Sequence, residues 1–482
     1  MVFSSITFLF FFLPAVLLLY YFFKEWRNCV LLAVSLFFYF WGEGACLLVM
    51  LLSIITNFVC GRLMVSKGRL RKNARFILAT AIIINFSILG VFKYTSFLAE
   101  NINLLLGSIH LPLIKIQAFH LPLGISFFTF QAVSYLIDIY REEARPQKSI
   151  INLALYISLF PQLIAGPIVR YRDIASAIFA RKFCADNVAD GIRLFIYGLS
   201  KKVLLANPLA LVADTVFALP VAGLNGSVAW LGAICFTLQI YFDFSGYTDM
   251  AIGLGRMFGF HFPINFNYPY ISKSIREFWR RWHISLSLWF RDYLYIPLGG
   301  SRNGAWKTGR NLLVVFILCG LWHGASWTFI CWGLYHGFFL ILERTFVGEF
   351  LEKLWNPFRH CTTLMIVIIG WVLFKSETMT NSLYYLSAMF NTDGFYDKGL
   401  INFYLDKKLI SELSAAVVLS SPVIPFLKRC YFNWQRHTSN QLTILHLGLF
   451  EIIRLCTLLA LGYFSVISLA ADAYNPFIYF RF

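Results

Sequence analysis

Apolar stretches long enough to cross a lipid bilayer recur along almost the whole chain, separated by short polar bridges; well-delimited examples are Phe76–Phe92, Val228–Phe242 and Trp327–Leu342. Hydrophobic residues make up 59% of the 482 residues and charged residues only 13%. A soluble domain is nearer a quarter charged, because its surface must stay hydrated. A membrane-spanning helix needs about 20 apolar residues, so we expect one all-α polytopic membrane domain with about 11–12 transmembrane helices. This domain covers residues 1–482.

The charge distribution orients this domain. A net charge of +17 can indicate nucleic-acid binding, but lysine and arginine also gather in the cytoplasmic loops of membrane proteins, and we expect lipid rather than nucleic acid as the partner. The loop Gly61–Arg75 carries only basic charges and is predicted to be cytoplasmic; counting crossings places Arg141–Lys148 inside as well. Ile6–Phe23 lacks a preceding basic region and a cleavage site, which favours a retained first helix over a signal peptide.

The ten cysteines are scattered and mostly lie within apolar runs. None belongs to a C-x-x-C pair or to a Cys/His cluster with zinc spacing, so we predict neither disulfides nor a metal site.

The regular succession of apolar stretches is interrupted in the middle of the chain. From Asp243 to Arg310 the sequence is dense in charge, glycine, proline and aromatic residues. Non-helical backbone at membrane depth is tolerated only where protein buries it or where it lines a wet cavity. We therefore expect the preceding span to end at Phe242, and re-entrant or interfacial helices to surround a polar site within residues 243–337.

The first polar patch contains Asp243 and Asp249, which follow directly on the apolar run. Ionisable groups in such a place are costly and usually paired. We interpret both as structural acceptors of hydrogen bonds from serine, tyrosine or backbone donors that hold a bend in the chain.

The second patch spans Ser274–Ser301. At helical spacing Arg276, Arg280, His283 and Ser287 share one face, with an aromatic stripe beside them. One interpretation is an amphipathic helix on the cytoplasmic leaflet; the other is a binding surface for the phosphates of an anionic donor. The pattern leaves both interpretations open. The candidate phosphate-binding residues are Arg276, Arg280, Arg281 and Arg291.

The third patch places His323 between two apolar runs, flanked by small residues that allow close approach, such as Gly320 and Gly324. A buried imidazole tends to stay neutral, which is the state that a general base requires. A core histidine bonded across helices is the equal alternative from position alone. His336 points to roughly the opposite helix face and is predicted to be structural.

Together these patches resemble the signature of the membrane-bound O-acyltransferase superfamily, and in particular the branch of the alginate O-acetyltransferase membrane subunit. The resembling strings follow the family order: DFSGYTDMAIGLGRMFGF at Asp243–Phe260, NFNYPY at Asn265–Tyr270, EFWRRWHISLSLWFRDYLYIPLGGSR at Glu277–Arg302 and LWHGASWTFICWGLYHG at Leu321–Gly337. The resemblance implies a central funnel of helices. It also implies that His323 is catalytic, as general base, and that His283 orients the donor or the base.

The last residues, 471–482, form a C-terminal tail that ends in FIYFRF. An aromatic anchor at the membrane interface is one interpretation. The string also resembles a motif of related envelope-acylation systems in which a tyrosine carries the acyl group, which implies Tyr479 as an acyl carrier.

The resemblance implies acetyl-CoA as donor substrate, with no bound cofactor, in the bacterial cytoplasmic membrane. It further implies a separate extracytoplasmic acetyltransferase or carrier protein that completes O-acetylation of an envelope polysaccharide. A D-alanyl carrier or a long-chain acyl-CoA remains an alternative donor. A transporter or flippase would also need broken helices, but transporters often carry paired repeats, and the chain has a single polar region.

Overall fold

The computed structural model describes residues 2–65, 72–116, 119–181, 183–220, 223–391, 398–435, 440–471 and 474–476. Within these residues all regular structure is helical. The helices of the first half are α1 (Leu13–Phe22), α2 (Arg27–Glu43), α3 (Leu47–Val65), α4 (Ala74–Ser108), α5 (Ile125–Tyr140), α6 (Ile150–Ser158), α7 (Phe160–Leu163), α8 (Tyr171–Phe179), α9 (Ala185–Ser200), α10 (Asn207–Phe217) and α11 (Gly226–Met257).

The second half continues with α12 (Ile275–Arg281), α13 (Ile284–Phe290), α14 (Ala305–His323), α15 (Trp327–Leu342), α16 (Phe346–Lys353), α17 (Asn356–Lys375), α18 (Met379–Phe390), α19 (Lys398–Tyr404), α20 (Lys407–Leu419), α21 (Val423–Gln435) and α22 (Asn440–Ala471). Three π-helical turns interrupt this order, at Phe8–Phe12, Lys201–Ala206 and Arg291–Tyr295.

The protein is an all-α polytopic membrane protein. Six helical stretches of the described residues are long and apolar enough to cross a bilayer: Lys24–Val65, Ala74–Ser108, Ala185–Phe217, Gly226–Met257, Asn356–Lys375 and Gly448–Ala471. The bent pair α20 and α21 is a seventh candidate, and three shorter apolar helices add to them. The predicted total of about 11–12 crossings stays a prediction.

Helix α11 forms the centre of the fold and packs against α9 with almost no side chain between them. A Cβ on Gly198 would lie 2.5 Å from the carbonyl oxygen of Gly246, and one on Gly253 would lie 2.6 Å from that of Gly191. Two such glycine pairs allow the backbones to touch, as small residues do in membrane helix pairs. By contrast, peripheral α22 exposes Leu459 and Tyr463 by more than half, as expected of a lipid-facing helix.

The prediction that the central span ends at Phe242 is wrong. Helix α11 continues through Asp243 and Asp249 as one helix and ends only at Met257. Both carboxylates pair with neighbouring lysines of the π-helical turn that follows α9: Asp243 with Lys202 at 2.8 Å and Asp249 with Lys201 at 2.6 Å. Because these ion pairs offset the cost of burying the charges, the helix continues through the interior.

The prediction of one helix carrying Arg276, Arg280 and His283 on a single face is also wrong. Helix α12 ends at Arg281, and His283 takes a left-handed conformation with a φ of 43° before α13 begins. The carbonyl oxygen of Asn265 accepts a hydrogen bond from the amide of Ile284 at 2.9 Å. A segment outside the helices, rather than the preceding helical turn, therefore satisfies the backbone at this break.

Candidate active site

His323 is the last residue of α14, and only 5% of its surface is exposed. Three aromatic rings enclose the imidazole: those of Trp322, Trp332 and Phe374, with centroids 4.9, 5.2 and 5.2 Å away. Such an enclosure keeps bulk water away from the ring, which suits acyl transfer because water would compete for the acyl group.

Lys93 of α4 holds the end of α14 in place. Its Nζ donates to the carbonyl oxygen of Trp322 and, at 3.3 Å, to that of His323, and the residue is only 9% exposed. The neighbouring Tyr94 donates from its hydroxyl to the carbonyl of Leu321 at 2.7 Å. The last carbonyls of a helix lack intrahelical partners and carry partial negative charge, so a buried cation is well placed there. Lys93 was not among the predicted site residues, although a lysine within an apolar span is a recognised signal of function.

Helices α14 and α15 form a close pair that places His323 beside Trp332. A Cβ on Gly320 would collide with the backbone carbonyl of Phe329, and a Cβ on Gly333 would collide with the carbonyl oxygen of Phe316. The two helices can therefore approach only because both positions are glycine.

His283 is fully buried at the break between α12 and α13. The side-chain Oδ1 of Asn265 lies 3.1 Å from its Nδ1 and also accepts from the amide and hydroxyl of Ser285, at 3.1 and 2.9 Å. Because a backbone N–H donates to this atom, it must be the amide oxygen, and the facing Nδ1 must therefore carry a proton. His283 consequently presents an unprotonated Nε2, which has no hydrogen-bond partner among the described residues.

The structure brings the two predicted histidines to one site. The indole of Trp322 contacts both of them, with its ring centroid 6.1 Å from that of His283 and 4.9 Å from that of His323. His336 contacts the same cluster through Trp332, at 5.1 Å. Trp332 contacts both His323 and His336, and this contact was not predicted because it depends on how α15 packs against α14.

Three of the four predicted phosphate-binding arginines are engaged by oxygen acceptors of the protein itself. Arg276 donates to the carbonyl of Glu343, at 3.3 Å, and Arg281 pairs with Glu277, at 2.9 Å. Arg291 is paired with Asp292 at 2.7 Å. Arg280 is exposed and makes no hydrogen bond or ion pair within the part of the chain described here. Arg280 and Arg291 are the exposed residues of the four, and of these two only Arg291 is held in an ion pair.

A cavity of about 500 Å³, which we call the outer cavity, opens beside this site. Its lining includes Lys93, Phe236, Gly324, Phe374, Lys375 and Pro476. A narrow space of about 20 Å³ lined by Lys93, Trp322 and His323 adjoins it. A second cavity of about 450 Å³ shares the lining residues Asp214, Lys375 and Glu377 with the outer cavity. The outer cavity therefore lies between the space beside His323 and this second cavity, since it shares lining residues with both.

Tyr479 lies outside the described residues. The tail is described at residues 474–476, and Pro476 contributes to the wall of the outer cavity.

The cysteines of the described residues are free thiols. Within the same part of the chain, Glu43, Cys46 and His120 have potential ligand atoms within 4.8 Å of one another, which is a geometry that could hold a metal ion. Glu43 ends α2, Cys46 lies in the turn before α3 and His120 lies before α5, and none of the three contributes to the enclosure of His323.

Comparisons with known proteins agree with this architecture. The family model for membrane-bound O-acyltransferases matches residues 33–387. A probable alginate O-acetylase of Pseudomonas putida is 39% identical over the full length of both chains. A peptidoglycan O-acetyltransferase of Helicobacter pylori is 33% identical over 100% of this chain and 98% of that protein. A teichoic acid D-alanyltransferase of Bacillus subtilis is 30% identical over 51% of this chain and 65% of its own length. The chain therefore belongs to the membrane-bound O-acyltransferase family and is a membrane O-acyltransferase.

Proposed function

We propose that the protein moves an acetyl group from cytoplasmic acetyl-CoA to Tyr479 in its own tail, with His323 as general base, for O-acetylation of an envelope polysaccharide. The observation that carries this proposal is that one outer cavity adjoins the enclosure of His323 and is also bounded by Pro476, the last described residue of the tail.

The remaining tail is long enough for this role. Six residues follow Pro476, and Tyr479 is the third of them. An extended chain spans at most about 3.3–3.6 Å per residue, so Tyr479 can reach roughly 10 Å beyond Pro476. That reach covers a large part of a cavity of about 500 Å³.

The chemical step transfers one acetyl group between two heteroatoms. The Nε2 or Nδ1 lone pair of neutral His323 accepts the phenolic proton as the Tyr479 oxygen attacks the thioester carbonyl. The tetrahedral intermediate collapses, the C–S bond breaks, and the imidazolium returns the proton to the departing CoA thiolate. The products are acetyl-tyrosine and free CoA, and no metal ion or redox partner enters this balance.

The membrane orientation supports transfer from inside to outside. Helix α4 begins directly after the basic loop that is predicted to be cytoplasmic, and Lys93 lies 19 residues beyond its start (93 − 74). At 1.5 Å per residue this distance is roughly 28 Å, close to the thickness of the hydrocarbon core. On this orientation the outer cavity beside Lys93 lies toward the extracytoplasmic side. In our proposal the donor enters from the cytoplasmic side, and the exposed Arg280 is the candidate partner for one of its phosphates.

The final acceptor follows from the relatives, whose names give alginate and peptidoglycan as their substrates. We propose an envelope polysaccharide, reached through a separate extracytoplasmic acetyltransferase or carrier protein, with this chain in the bacterial cytoplasmic membrane. D-Alanyl transfer is a second candidate because a D-alanyltransferase is also similar. That similarity covers about half of the chain, whereas the acetylase similarity covers all of it.

The test uses purified protein in detergent with radiolabelled acetyl-CoA, and follows both CoA release and the site of label by peptide mass analysis. His323→Gln should abolish both signals, and Tyr479→Phe should abolish the retained label. Two matched controls remove the same groups far from the cavity: His110→Ala, in an exposed loop, and Tyr463→Phe, on the lipid-facing side of α22. Both should behave as wild type.

Three results would contradict parts of the proposal. CoA release that requires His323 but is unchanged in Tyr479→Phe removes the carrier. Label from a D-alanyl carrier protein, with none from acetyl-CoA, replaces the donor. Full activity in His323→Gln removes the general base.

A further inference from the structure

Three consecutive residues of the tail, Tyr474 to Pro476, are each held by a different part of the protein. The hydroxyl of Tyr474 donates to Asp214 of α10. Asn475 donates from Nδ2 to the carbonyl of Ser4 at 2.8 Å. The carbonyl oxygen of Pro476 accepts a hydrogen bond from Nζ of Lys202. We call these three residues the tail anchor.

The bond from Lys202 differs from the others because its donor is a buried charge. The Lys202 side chain is 3% exposed, and its partner Asp243 is 1% exposed. Desolvating both charges of such a pair costs several kcal/mol per ion, and an apolar pair of similar volume is often at least as stable. An ammonium group has three donors, and here one is directed at Asp243 and another at Pro476. The buried pair thus holds a strong donor at Pro476, the residue by which the described part of the tail lines the outer cavity.

The local backbone explains how two adjacent lysines can both face α11. Lys201 and Lys202 open the π-helical turn Lys201–Ala206, a rare form that often occurs at functional sites. Lys201 pairs with Asp249, and its side chain is 32% exposed. Lys201 therefore serves as a comparison for Lys202. Both lysines lie in the same turn and pair with an aspartate of α11, but Lys201 does not contact the tail anchor.

We propose that Lys202 is the positioning residue that docks the tail, so that residues 477–482 enter the outer cavity. This inference rests on the proposed function for its purpose, since docking is what would bring Tyr479 toward His323, but it can be tested without acyl transfer. The occupant fits the cavity chemically. The segment Phe477-Ile478-Tyr479-Phe480 is apolar and aromatic, and the cavity wall contains Phe236, Phe329 and Phe374.

The direction of the tail is also constrained. Proline fixes its own φ near −65°, and Lys202 holds the carbonyl of that same proline. Fixing these two features at Pro476 limits the paths open to the residues that follow. Pre-organisation of this kind reduces the entropy lost when a flexible segment binds.

The variant that tests the proposal must not leave a lone charge in the core. Lys202→Met alone would remove the cation beside the buried Asp243 carboxylate, whereas the double variant Lys202→Met/Asp243→Leu replaces the whole pair with apolar groups. Lys201→Met is the matched control. Lys202→Arg retains a cation and tests rescue. Asn475→Ala weakens the tail anchor from the tail side and leaves the core pair untouched.

The first readout is protection of the C-terminus. Purified protein in detergent is digested with carboxypeptidase, and loss of Phe482 and the residues before it is followed by intact-mass analysis, with thermal unfolding measured in parallel. Wild type and Lys201→Met should resist trimming. The double variant should be trimmed at least tenfold faster with a similar Tm, Asn475→Ala should be intermediate, and Lys202→Arg should recover part of the protection.

The second readout is acetylation of Tyr479, which separates this inference from the proposed function. Parallel losses of protection and of label support docking for transfer. Loss of protection with unchanged label supports docking by Lys202 but overturns its catalytic purpose. If the folded double variant is protected as well as wild type, Lys202 does not dock the tail. If the double variant does not fold and Asn475→Ala is protected as well as wild type, the tail anchor does not hold the tail. Both conclusions hold whatever the acyl donor is. Rapid trimming of wild type overturns occupancy of the cavity by the tail.

Discussion

Replacing Lys93 with Met should slow acyl transfer without weakening donor binding. Lys93 contacts no predicted donor-binding arginine, but its Nζ bonds the carbonyls of Trp322 and His323 and so fixes the backbone that carries the imidazole. Methionine is of similar length and apolar, and it leaves both carbonyls without this donor. Hydrogen bonds to charged groups contribute about 1.5–3 kcal/mol each.

The expected catalytic loss follows from geometry. A shift of about 1 Å in a reacting group can cost about 100-fold in rate, which corresponds to about 2.7 kcal/mol in the activation free energy. We therefore expect the rate of His323-dependent CoA release to fall about 30- to 100-fold, with an unchanged KM for acetyl-CoA. The free energy of unfolding should fall by about 1–3 kcal/mol, the cost of leaving buried polar groups unsatisfied.

The assay is single-turnover acyl transfer in detergent, with donor titration to separate kcat from KM. Lys115→Met is the control, because it removes the same charge from an exposed residue in the loop after α4. A folded Lys93→Met variant whose rate stays within threefold of wild type would refute the reasoning. An increase in KM at constant kcat would instead assign Lys93 to donor binding.

Three further predictions concern Asn265, Gly333 and Glu343. Asn265→Ala should release the proton-bearing Nδ1 of His283 from its acceptor, and the transfer rate should fall about tenfold with little change in Tm; an unchanged rate would show that this orientation is not needed. Gly333→Ala should destabilise the protein by about 1–3 kcal/mol through overpacking, whereas Gly90→Ala, with open space around it, should be neutral or slightly stabilising in thermal unfolding. Burial raises the pKa of Glu343 above its ordinary value of 4.5, so its contribution to stability is complete below pH 4.5 and is lost as pH rises through the raised pKa. Glu343→Gln should therefore flatten the decline of Tm with pH in that window, and an unchanged slope would contradict this sign.

Helix positions could be predicted wherever apolar runs were bounded by polar residues. Trp327–Leu342 was predicted with the bounds that the structure has. Phe76–Phe92 was predicted too short, since α4 runs from Ala74 to Ser108. An apolar run reports the length that lies in hydrocarbon, but it does not report how far a helix continues into polar surroundings.

The ends of helices in the polar middle could not be predicted in the same way. Asp243 was expected to end a helix because a carboxylate is costly in an apolar span. It does not, because Lys202 from another element pairs with it. At His283 the opposite occurs: a regular helical pattern is broken, because Asn265 offers competing hydrogen-bond partners to the backbone and the ring. In both cases the deciding partner is distant in the sequence.

The sequence by itself determined that this chain is an all-α membrane protein with a polar centre, and its motif order predicted the family. Composition suffices for the first conclusion, because a bilayer requires internally bonded helices with apolar surfaces. Only the tertiary structure decided that Lys93 holds the end of the helix carrying His323, and that Lys202 holds the tail at the cavity. Those contacts join residues 229 and 274 positions apart. Contacts of this kind depend on how the helices pack, which local patterns of hydrophobicity and charge do not specify.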